Sequence, residues 1–330
     1  MFRGLACAAF AALSAASLPA AAQQKVDFLL SWVPGGDHAP HFYAKKMGWY
    51  QKAGIDLNIE AGKGSAPAIQ RVGAGTTPIG IADFGTALAL RGKGADVVGV
   101  YNIFANSGHG LYWLKSSGIK SVKDLAGKKI GNPPGDAARI MWPALAKANG
   151  LDPASVTWVN VDANGKLAAL KAKAIDATTQ FYNIHHIFQR ELGDDMGFLA
   201  WRENGFNQYS NTVLVNAEYL KKNRAVVDAF VKVTQRAFAA CVAAPKPCVD
   251  ALVEANTALK HDNEMTNWSL VEVLMRDRFA ETVALGYMDP GRMASDYDLI
   301  KTYVGIDKPY DIKTAYTNDF LDRSIKMIKK

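Results

Sequence analysis

The stretch from Lys25 to Glu60 constrains the fold of this chain more than any other part of the sequence. The apolar run at 26–30 predicts a buried strand, and the residues WVPGGDH at 32–38 interrupt it as a loop. A helical pattern follows until Gly54 ends it, and residues 55–59 alternate between apolar and polar, as a second strand does. In α/β proteins the loops that follow such strands commonly bind small ligands. The sequence therefore predicts an α/β fold with a ligand-binding loop at 32–38.

The first 22 residues have the pattern of a cleavable export signal. They carry one positive charge, Arg3, then an alanine-rich apolar middle, and small residues at Ala20 and Ala22. The apolar run is shorter than a bilayer span and rich in Ala rather than Leu, which argues against a membrane anchor. We therefore expect cleavage after about Ala22 and localisation in the periplasm.

The composition is that of a globular protein, with 49% hydrophobic and 21% charged residues. The net charge of +7 comes from lysines scattered along the chain, and there is no Arg-rich cluster or nucleic-acid motif. A solvated basic surface explains this better than a nucleic-acid partner, so none is predicted. The length of the chain favours two lobes or domains.

Two cysteines follow the export signal, Cys241 and Cys248, in the segment CVAAPKPC. Pro245 and Pro247 predict a turn between two helical segments, across which the two sulfur atoms could meet. A short structural disulfide fits an oxidising compartment. A zinc site is disfavoured because no further Cys or His lies nearby in the sequence.

Strands and helices continue to alternate beyond the opening unit, which predicts mostly parallel sheets flanked by helices. Two strand-like connectors, at 110–115 and 211–215, separate the alternating units, and the chain is predominantly helical after residue 217. This pattern predicts one lobe from residues 23–111 and 214–330 and a second from residues 112–213. The C-terminal helices are expected to pack on the first lobe, and a ligand cleft is expected between the lobes.

The run at 31–60 resembles the opening of the nitrate/sulfonate/taurine-type periplasmic solute-binding proteins, and most of all the branch related to thiamine-pyrimidine synthase. That branch opens with Trp-x-Pro-Asn-x-x-His followed by an aromatic residue. Trp32, Pro34, His38 and the pair Phe42–Tyr43 match this pattern, whereas Gly35 stands where the branch commonly has Asn. Further similar segments at 48–56, 117–131 and 213–223 extend the resemblance over most of the chain.

The resemblance implies a two-lobed periplasmic binding protein of type II that closes on its ligand. It also implies a monomer that delivers a small molecule to an ABC permease and ATPase complex in the inner membrane. The first expected ligand is a pyrimidine-type thiamine precursor, and a sulfonate or an aromatic carboxylate is the alternative. The synthases carry a cysteine-rich segment that is absent here, so we expect no enzymatic activity, no cofactor and no metal. A pyrimidine-synthase-like enzyme and a ligand-sensing domain on a membrane receptor remain the other hypotheses.

Four residues of the opening segment are candidate ligand contacts. Trp32, directly after the first strand, is expected to stack on a flat ligand, with core packing as the alternative. His38 is either a neutral hydrogen-bonding contact or a helix cap. The resemblance adds the aromatic residues Phe42 and Tyr43.

Three more candidates of the first lobe lie at the predicted starts of helices. Ser65 and Thr86 are placed where free backbone N–H groups favour an anionic or carbonyl group, although capping alone explains such residues. Phe84, beside Thr86, is either a second aromatic wall of the cleft or a core residue.

The second lobe contributes candidates from two segments. The loop NPPGD at 132–136 opens a helix, where Asp136 either caps the helix or binds a ligand amine. Arg139, one turn further, could hold a carboxylate or sulfonate with two hydrogen bonds, or form a surface ion pair. Tyr182 and Asn183 follow the last predicted strand of this lobe and are candidates because of that position.

Overall fold

The computed structural model describes residues 23–328, and the predicted export signal lies outside this range. Within the described residues the chain forms two five-stranded sheets, each flanked by helices, which make up two lobes. The predicted two-lobed α/β architecture is confirmed.

The sheet of lobe 1 has the strand order β2-β1-β3-β10-β4. Its strands, numbered in chain order, are β1 (Gln24–Leu29), β2 (Ile55–Glu60), β3 (Ile79–Asp83), β4 (Val97–Asn102) and β10 (Asn211–Asn216). The sheet of lobe 2 has the order β7-β6-β8-β5-β9. Its strands are β5 (His109–Leu114), β6 (Lys129–Gly131), β7 (Thr157–Val159), β8 (Ala177–Phe181) and β9 (Met196–Ala200).

Both sheets are mixed, which corrects the prediction that they are mostly parallel. In lobe 1, β1 pairs in parallel with β2 and β3, whereas β10 pairs antiparallel with β3 and β4. In lobe 2, β6 pairs in parallel with β7 and β8, whereas β5 pairs antiparallel with β8 and β9. The antiparallel strands are the segments interpreted from the sequence as connectors. Each of these strands enters its sheet directly from the other lobe. Parallel neighbours need a crossover connection, usually a helix, and these strands have none.

Helices cover the faces of both sheets. In lobe 1 they are α1 (Ala39–Lys46), α2 (Trp49–Lys52), α3 (Ser65–Gly73) and α4 (Phe84–Arg91). In lobe 2 they are α5 (Ala137–Ala148), α6 (Lys166–Lys171) and α7 (His185–Leu192). The C-terminal part contains α8 (Ala217–Lys222), α9 (Arg224–Ala243), α10 (Pro245–Ala255), α11 (His261–Met275), α12 (Arg278–Thr282) and α13 (Pro290–Tyr303).

The C-terminal helices complete the core of lobe 1. Phe230 and Phe238 of α9 and Trp268 of α11 share one buried apolar cluster with Phe28 of β1. The hydrophobic effect therefore ties the end of the chain to its first strand. None of the helices within residues 23–328 is long and apolar enough to cross a membrane.

A buried hydrogen-bond hub joins the two segments that link the lobes. Asp83, at the end of β3, accepts hydrogen bonds from the backbone N–H and the side-chain hydroxyl of Thr86, both at 2.8 Å. Its other carboxylate oxygen accepts from Ser210 Oγ at 2.9 Å and lies 3.3 Å from His109 Nε2. His109 ends the first linking segment and Ser210 ends the second, so one carboxylate holds both together.

The end of α9 and the start of α10 are joined by a disulfide between Cys241 and Cys248. Both cysteines are buried against the core of lobe 1. The bond holds the two helices together across the break at Ala244, and the predicted turn residues Pro245 and Pro247 lie in the first turn of α10.

Replacing both Cys241 and Cys248 with Ala is expected to lower the free energy of unfolding by about 2–3 kcal/mol, because the cross-link restricts the unfolded chain and closes only a short loop. Urea unfolding monitored by circular dichroism measures the change. Reduction of the wild-type protein serves as the matched control and should produce a shift of similar size. An unchanged unfolding midpoint in both samples would show that the bond contributes no stability.

Candidate functional site

A cavity of about 310 Å³ lies between the two lobes and is called the cleft below. Lobe 1 lines it with the loop 31–38 after β1, with the start of α3 and with residues of α11. Lobe 2 lines it with the start of α5, with α6, and with the segment from the end of β8 into α7. The volume is at the small end of the range of sites for organic ligands. The cleft therefore suits a compact molecule held from both lobes.

Hydrogen bonds across the cleft hold the lobes in contact. Asn183 Nδ2 of lobe 2 donates to Asn267 Oδ1 of α11 at 3.1 Å, and Arg190 donates to Asn263 at 2.8 Å. On the far side the backbone N–H of Ala66 donates to the carbonyl of Gly135 at 3.3 Å. The arrangement is that of a closed cleft.

Gly64 permits the closest approach of the two lobes. Its φ is +125°, a conformation that residues with a Cβ rarely adopt. A Cβ at this position would also lie 2.7 Å from the carbonyl oxygen of Gly135 in the opposing lobe. A side chain here would therefore keep the lobes apart.

A buried lysine of lobe 2 faces the tryptophan of lobe 1. Lys166 is 1% exposed, and its Nζ donates to Asp136 Oδ2 at 2.6 Å and to the carbonyl of Thr179 at 3.0 Å. The same Nζ lies 5.1 Å from the centroid of the Trp32 ring, within range of a cation–π interaction. The other oxygen of Asp136 caps α5 by accepting from the backbone N–H of Ala138 at 2.9 Å. The charge of Lys166 is thus matched by Asp136.

The loop after β1 brings an imidazole into the cleft. The backbone N–H of Gly35 donates to His38 Nδ1 at 3.2 Å, and Asp37 Oδ1 lies 3.1 Å from the same nitrogen. In the neutral tautomer that accepts from Gly35, the proton is on Nε2. Burial lowers the pKa of His38 and raises the pKa of neighbouring Asp37. His38 Nε2 has no hydrogen-bond partner within residues 23–328. In that tautomer it is a buried donor available to a ligand.

A carboxyl group of α11 faces the same loop. The pKa of Glu264 is raised to about 7, mainly by burial and also by the nearby Asp37, against a hydrogen bond from the Gly36 backbone that lowers it. Glu264 Oε2 has no partner in the part of the chain that the structure describes. The same holds there for Oδ1 of Asn211, which also lines the cleft.

The structure brings five of the predicted ligand contacts together in the cleft. They are Trp32, His38, Ser65, Asp136 and Asn183. Their roles in binding stay predictions, and several also have structural partners. Ser65 Oγ, for example, accepts a hydrogen bond from the backbone N–H of Asp83 at 3.0 Å.

Phe42 and Tyr43 lie outside the cleft because α1 turns them towards its outer side. Phe42 borders a separate shallow depression near Lys45, and Tyr43 packs edge-on against Trp49 with ring centroids 5.4 Å apart. The neighbouring His41 is the residue that enters the core, where burial lowers its pKa to about 3.

Phe84 and Thr86 also lie outside the cleft. Phe84 is 2% exposed and packs under β4, where a Cβ at Gly99 would approach its ring to 2.8 Å. Thr86 is fully buried and donates both of its hydrogen bonds to Asp83. The capping interpretation describes this helix start, with Asp83 as the cap.

Arg139 and Tyr182 point away from the cleft, although both follow cleft residues in the sequence. The Arg139 guanidinium donates to Asn160 at 2.7 Å and lies 5.2 Å from the ring centroid of Trp158. Tyr182 is covered by the guanidinium of Arg202, 4.4 Å from its ring centroid. Neither side chain lines the cavity.

Several cleft residues were not identified from the sequence, among them Lys166, Glu264 and Asn267. Lys166 is the first residue of a short helix, and Glu264 and Asn267 belong to a C-terminal helix far along the chain. No local pattern distinguishes them from surface residues. Among residues 23–328, no group of three or more His, Cys, Asp or Glu side chains is arranged to hold a metal ion.

Comparison with known proteins identifies similar chains of two kinds. The 4-amino-5-hydroxymethyl-2-methylpyrimidine phosphate synthase of Legionella pneumophila is 26% identical over 306 residues, which cover 91% of this chain and 93% of that protein. The formylaminopyrimidine-binding protein of Halalkalibacterium halodurans is 21% identical, over 76% of this chain and 77% of that protein.

Solved structures match the fold. The periplasmic aliphatic sulphonate binding protein SsuA of Escherichia coli superposes with a TM-score of 0.66 at 15% identity, covering 88% of this chain and 91% of that one. At this identity the likeness concerns the fold alone. It agrees with the two-lobed architecture described above.

These comparisons correct one prediction made from the sequence. The lack of a cysteine-rich segment led to the expectation that the chain is not an enzyme. The comparisons contradict that expectation, because similar chains, including the one from Legionella pneumophila, are named as synthases. A missing cysteine-rich segment does not separate this chain from them.

The model of one protein family, described as NMT1/THI5 like, matches residues 36–247. The match includes the loop residues from Gly36 onwards, all of lobe 2 and both linking segments. Because it spans more than half of the chain, this protein belongs to the NMT1/THI5-like family.

Proposed function

We propose that this chain is an exported solute-binding protein of an ABC importer, and that its cleft captures a pyrimidine-type thiamine precursor. The observation that carries the proposal is a closed interlobe cleft in which an indole ring, Trp32, stands among buried polar groups. In this proposal the first 22 residues direct export and are removed after about Ala22. The monomeric protein then presents its closed lobes to the permease and ATPase complex. Genes for such a complex beside this one would support import.

Closure supplies the signal that a permease needs. The bonds from Asn183 to Asn267 and from Ala66 to Gly135 join opposite lobes, so they form only when the lobes meet. A ligand that contacts both lobes adds to these bonds and shifts the population towards the closed state.

The charges of the cleft favour a neutral or cationic heteroaromatic ligand over a sulfonate or aromatic carboxylate. Arg139, the residue expected to hold an anion, binds Asn160 outside the cavity. Lys166 is already paired with Asp136, while Asp37 and Glu264 add carboxyl groups to the lining. An anion would be placed next to these carboxyl groups, and among residues 23–328 no unpaired Lys or Arg lines the cavity to balance it.

Isothermal titration calorimetry tests the ligand class. An aminopyrimidine, ethanesulfonate, benzoate and nitrate are titrated into the purified protein, and thermal unfolding is followed at saturation. A ligand at one hundred times its dissociation constant should stabilise the protein by about 2.7 kcal/mol. Binding of the aminopyrimidine alone supports the proposal, whereas binding of only the anions contradicts it.

Replacing Trp32 with Ala is expected to weaken binding of the aminopyrimidine by about 10- to 100-fold, because stacking of a base on an aromatic ring contributes about 1–3 kcal/mol. Titration calorimetry measures the affinity and thermal unfolding reports stability. Tyr43→Ala, an aromatic truncation outside the cleft, is the matched control and should leave the affinity unchanged. If Trp32→Ala lowers the melting temperature with no loss of affinity, the ring is a core residue and not a platform.

A second candidate function is synthesis of a phosphorylated pyrimidine, favoured by the name of a relative that matches 91% of this chain. It uses the same cleft, so binding measurements do not distinguish the two functions. Mass spectrometry of compounds formed by the purified protein from cell extract does. Accumulation of 4-amino-5-hydroxymethyl-2-methylpyrimidine phosphate above a heat-denatured control would support synthesis.

A further inference from the structure

The polar atoms of the cleft that lack partners form a set with defined chemistry. Glu264 is 7% exposed, His38 is 1% exposed and Asn211 is 3% exposed, so all three are more than nine-tenths buried. Within residues 23–328, Glu264 Oε2, His38 Nε2 and Asn211 Oδ1 have no hydrogen-bond partner. Buried polar atoms without partners are costly, which makes each of them a site where a ligand gains binding energy.

The surroundings of these atoms determine whether each one donates or accepts a hydrogen bond. In the tautomer in which His38 Nδ1 accepts from the Gly35 backbone, Nε2 is a donor. The carboxylate of Glu264 accepts from the Gly36 backbone and has Oε2 left as a second acceptor. A ring nitrogen next to an amino group complements a donor and an acceptor of this kind, because the ring nitrogen accepts and the amino group donates.

Gly35 leaves the acceptor of Glu264 open. A Cβ at this position would lie 3.7 Å from Glu264 Oε2 and 3.4 Å from Asn267 Nδ2. The φ of −156° at Gly35 suits any residue, so the absence of a side chain here is not required by the backbone. An Asn at position 35 would bring an amide within reach of Oε2 and occupy it.

We propose that Glu264 is the specificity-determining residue of the cleft, whose carboxylate accepts a hydrogen bond from an amino group adjacent to a ring nitrogen of the ligand. This inference rests on the proposed binding function and adds the residue that recognises the amino group of the ligand. His38 supplies the donor to the ring nitrogen, and Trp32 supplies the platform. Burial, which raises the pKa of Glu264 to about 7, makes an unpaired carboxylate costly, and a ligand donor relieves that cost.

Two matched probes test the proposal: an aminopyrimidine with its amino group next to a ring nitrogen, and the methylpyrimidine in which a methyl group replaces it. The wild-type protein should bind the aminopyrimidine at least about tenfold more tightly, because hydrogen bonds to a charged group are the strong ones. Glu264→Gln should remove most of this preference by weakening only the aminopyrimidine. Calorimetry provides the affinities, and thermal unfolding confirms that the variant is folded.

Two further variants sharpen the test. Glu254→Gln removes an exposed glutamate of α10 that pairs with Lys46, and it should leave both affinities unchanged. Gly35→Asn should reduce the preference for the aminopyrimidine while Glu264 stays in place, which keeps the proposal testable if Glu264→Gln fails to fold.

The outcomes separate this inference from the proposed function. Equal affinity of the wild-type protein for the two pyrimidines, or equal losses for both in Glu264→Gln, would overturn the role of Glu264 and leave pyrimidine binding intact. If the wild-type protein binds neither pyrimidine, the proposed ligand class fails and this inference fails with it.

Discussion

Replacing Lys166 with Met is expected to lower the free energy of unfolding by about 3–5 kcal/mol, because it leaves the carboxylate of Asp136 buried without its cation. The side chains of the pair are 1% and 10% exposed, so water replaces little of the lost interaction. The carbonyl of Thr179 also loses the hydrogen bond that it accepts from Lys166. Urea unfolding of the two proteins measures the difference.

The same helix offers a matched control. Lys171, five positions along the chain, pairs with Glu191 at side-chain exposures of 49% and 36%. Because exposed pairs contribute little, Lys171→Met should change stability by less than about 1 kcal/mol. Similar losses in the Lys166 and Lys171 variants would contradict the argument.

A double variant tests the cause of the loss. Asp136→Asn combined with Lys166→Met removes both charges and keeps an oxygen that can cap α5 at Ala138. It should recover a large part of the stability lost in the single variant, because no unpaired charge stays buried. No recovery would assign the loss to packing and not to charge.

Replacing Asp83 with Ala is expected to lower the free energy of unfolding by about 3–5 kcal/mol, because it leaves the donors of a buried hydrogen-bond network without an acceptor. Thr86, Ser210 and His109 all face this carboxylate, and Asp83 is fully buried. Asp27→Ala is the control, since that carboxylate is exposed and accepts a hydrogen bond from Asn58 at 2.9 Å. Its effect should stay below about 0.5 kcal/mol.

The loss in Asp83→Ala should also depend on pH. Burial acts to raise the pKa of Asp83, but its interactions with His109 and Thr86 outweigh burial and hold the pKa below its ordinary value of 3.8. The unfolded chain therefore binds this proton at a higher pH than the folded protein does, so the stabilisation is fully present above about pH 5. It falls as the pH drops through the ordinary value towards the folded one. We expect the difference in the free energy of unfolding between the wild-type protein and Asp83→Ala to stay constant from pH 7 to about pH 5 and to shrink towards pH 3. A difference that grows towards pH 3 would show that the folded-state pKa of Asp83 is raised and not lowered.

The order of elements could be predicted from the sequence because it depends on neighbours along the chain. The apolar run of β1, the alternation of β2 and the helix start at Ser65 are local patterns, and the structure has these elements within a few residues of the predicted bounds. The pairing direction of β5 and β10 was not predictable in this way, since it depends on which lobe each strand comes from.

The candidate site was predicted in part, and the predicted contacts that lie outside the cleft on helices share one physical reason. Trp32, His38 and Asn183 follow strands, and the cleft lies at the ends of those strands. Phe42 and Arg139 lie on helices near the same strand ends, where a turn of about 100° per residue decides which side chain faces the cleft. A position near the site in sequence is therefore not sufficient on a helix.

By itself, the sequence determined the α/β class, the two-lobed division and the resemblance that the NMT1/THI5-like match bears out. Only the tertiary structure decided the chemistry of the cleft. Lys166 meets Asp136 across 30 positions, and Asn183 meets Asn267 across 84. The opening loop, from Trp32 to His38, faces Glu264 from the far end of the chain. Hydrophobic periodicity is a property of neighbouring residues, whereas a buried charge acquires its partner only when segments distant in the sequence fold together.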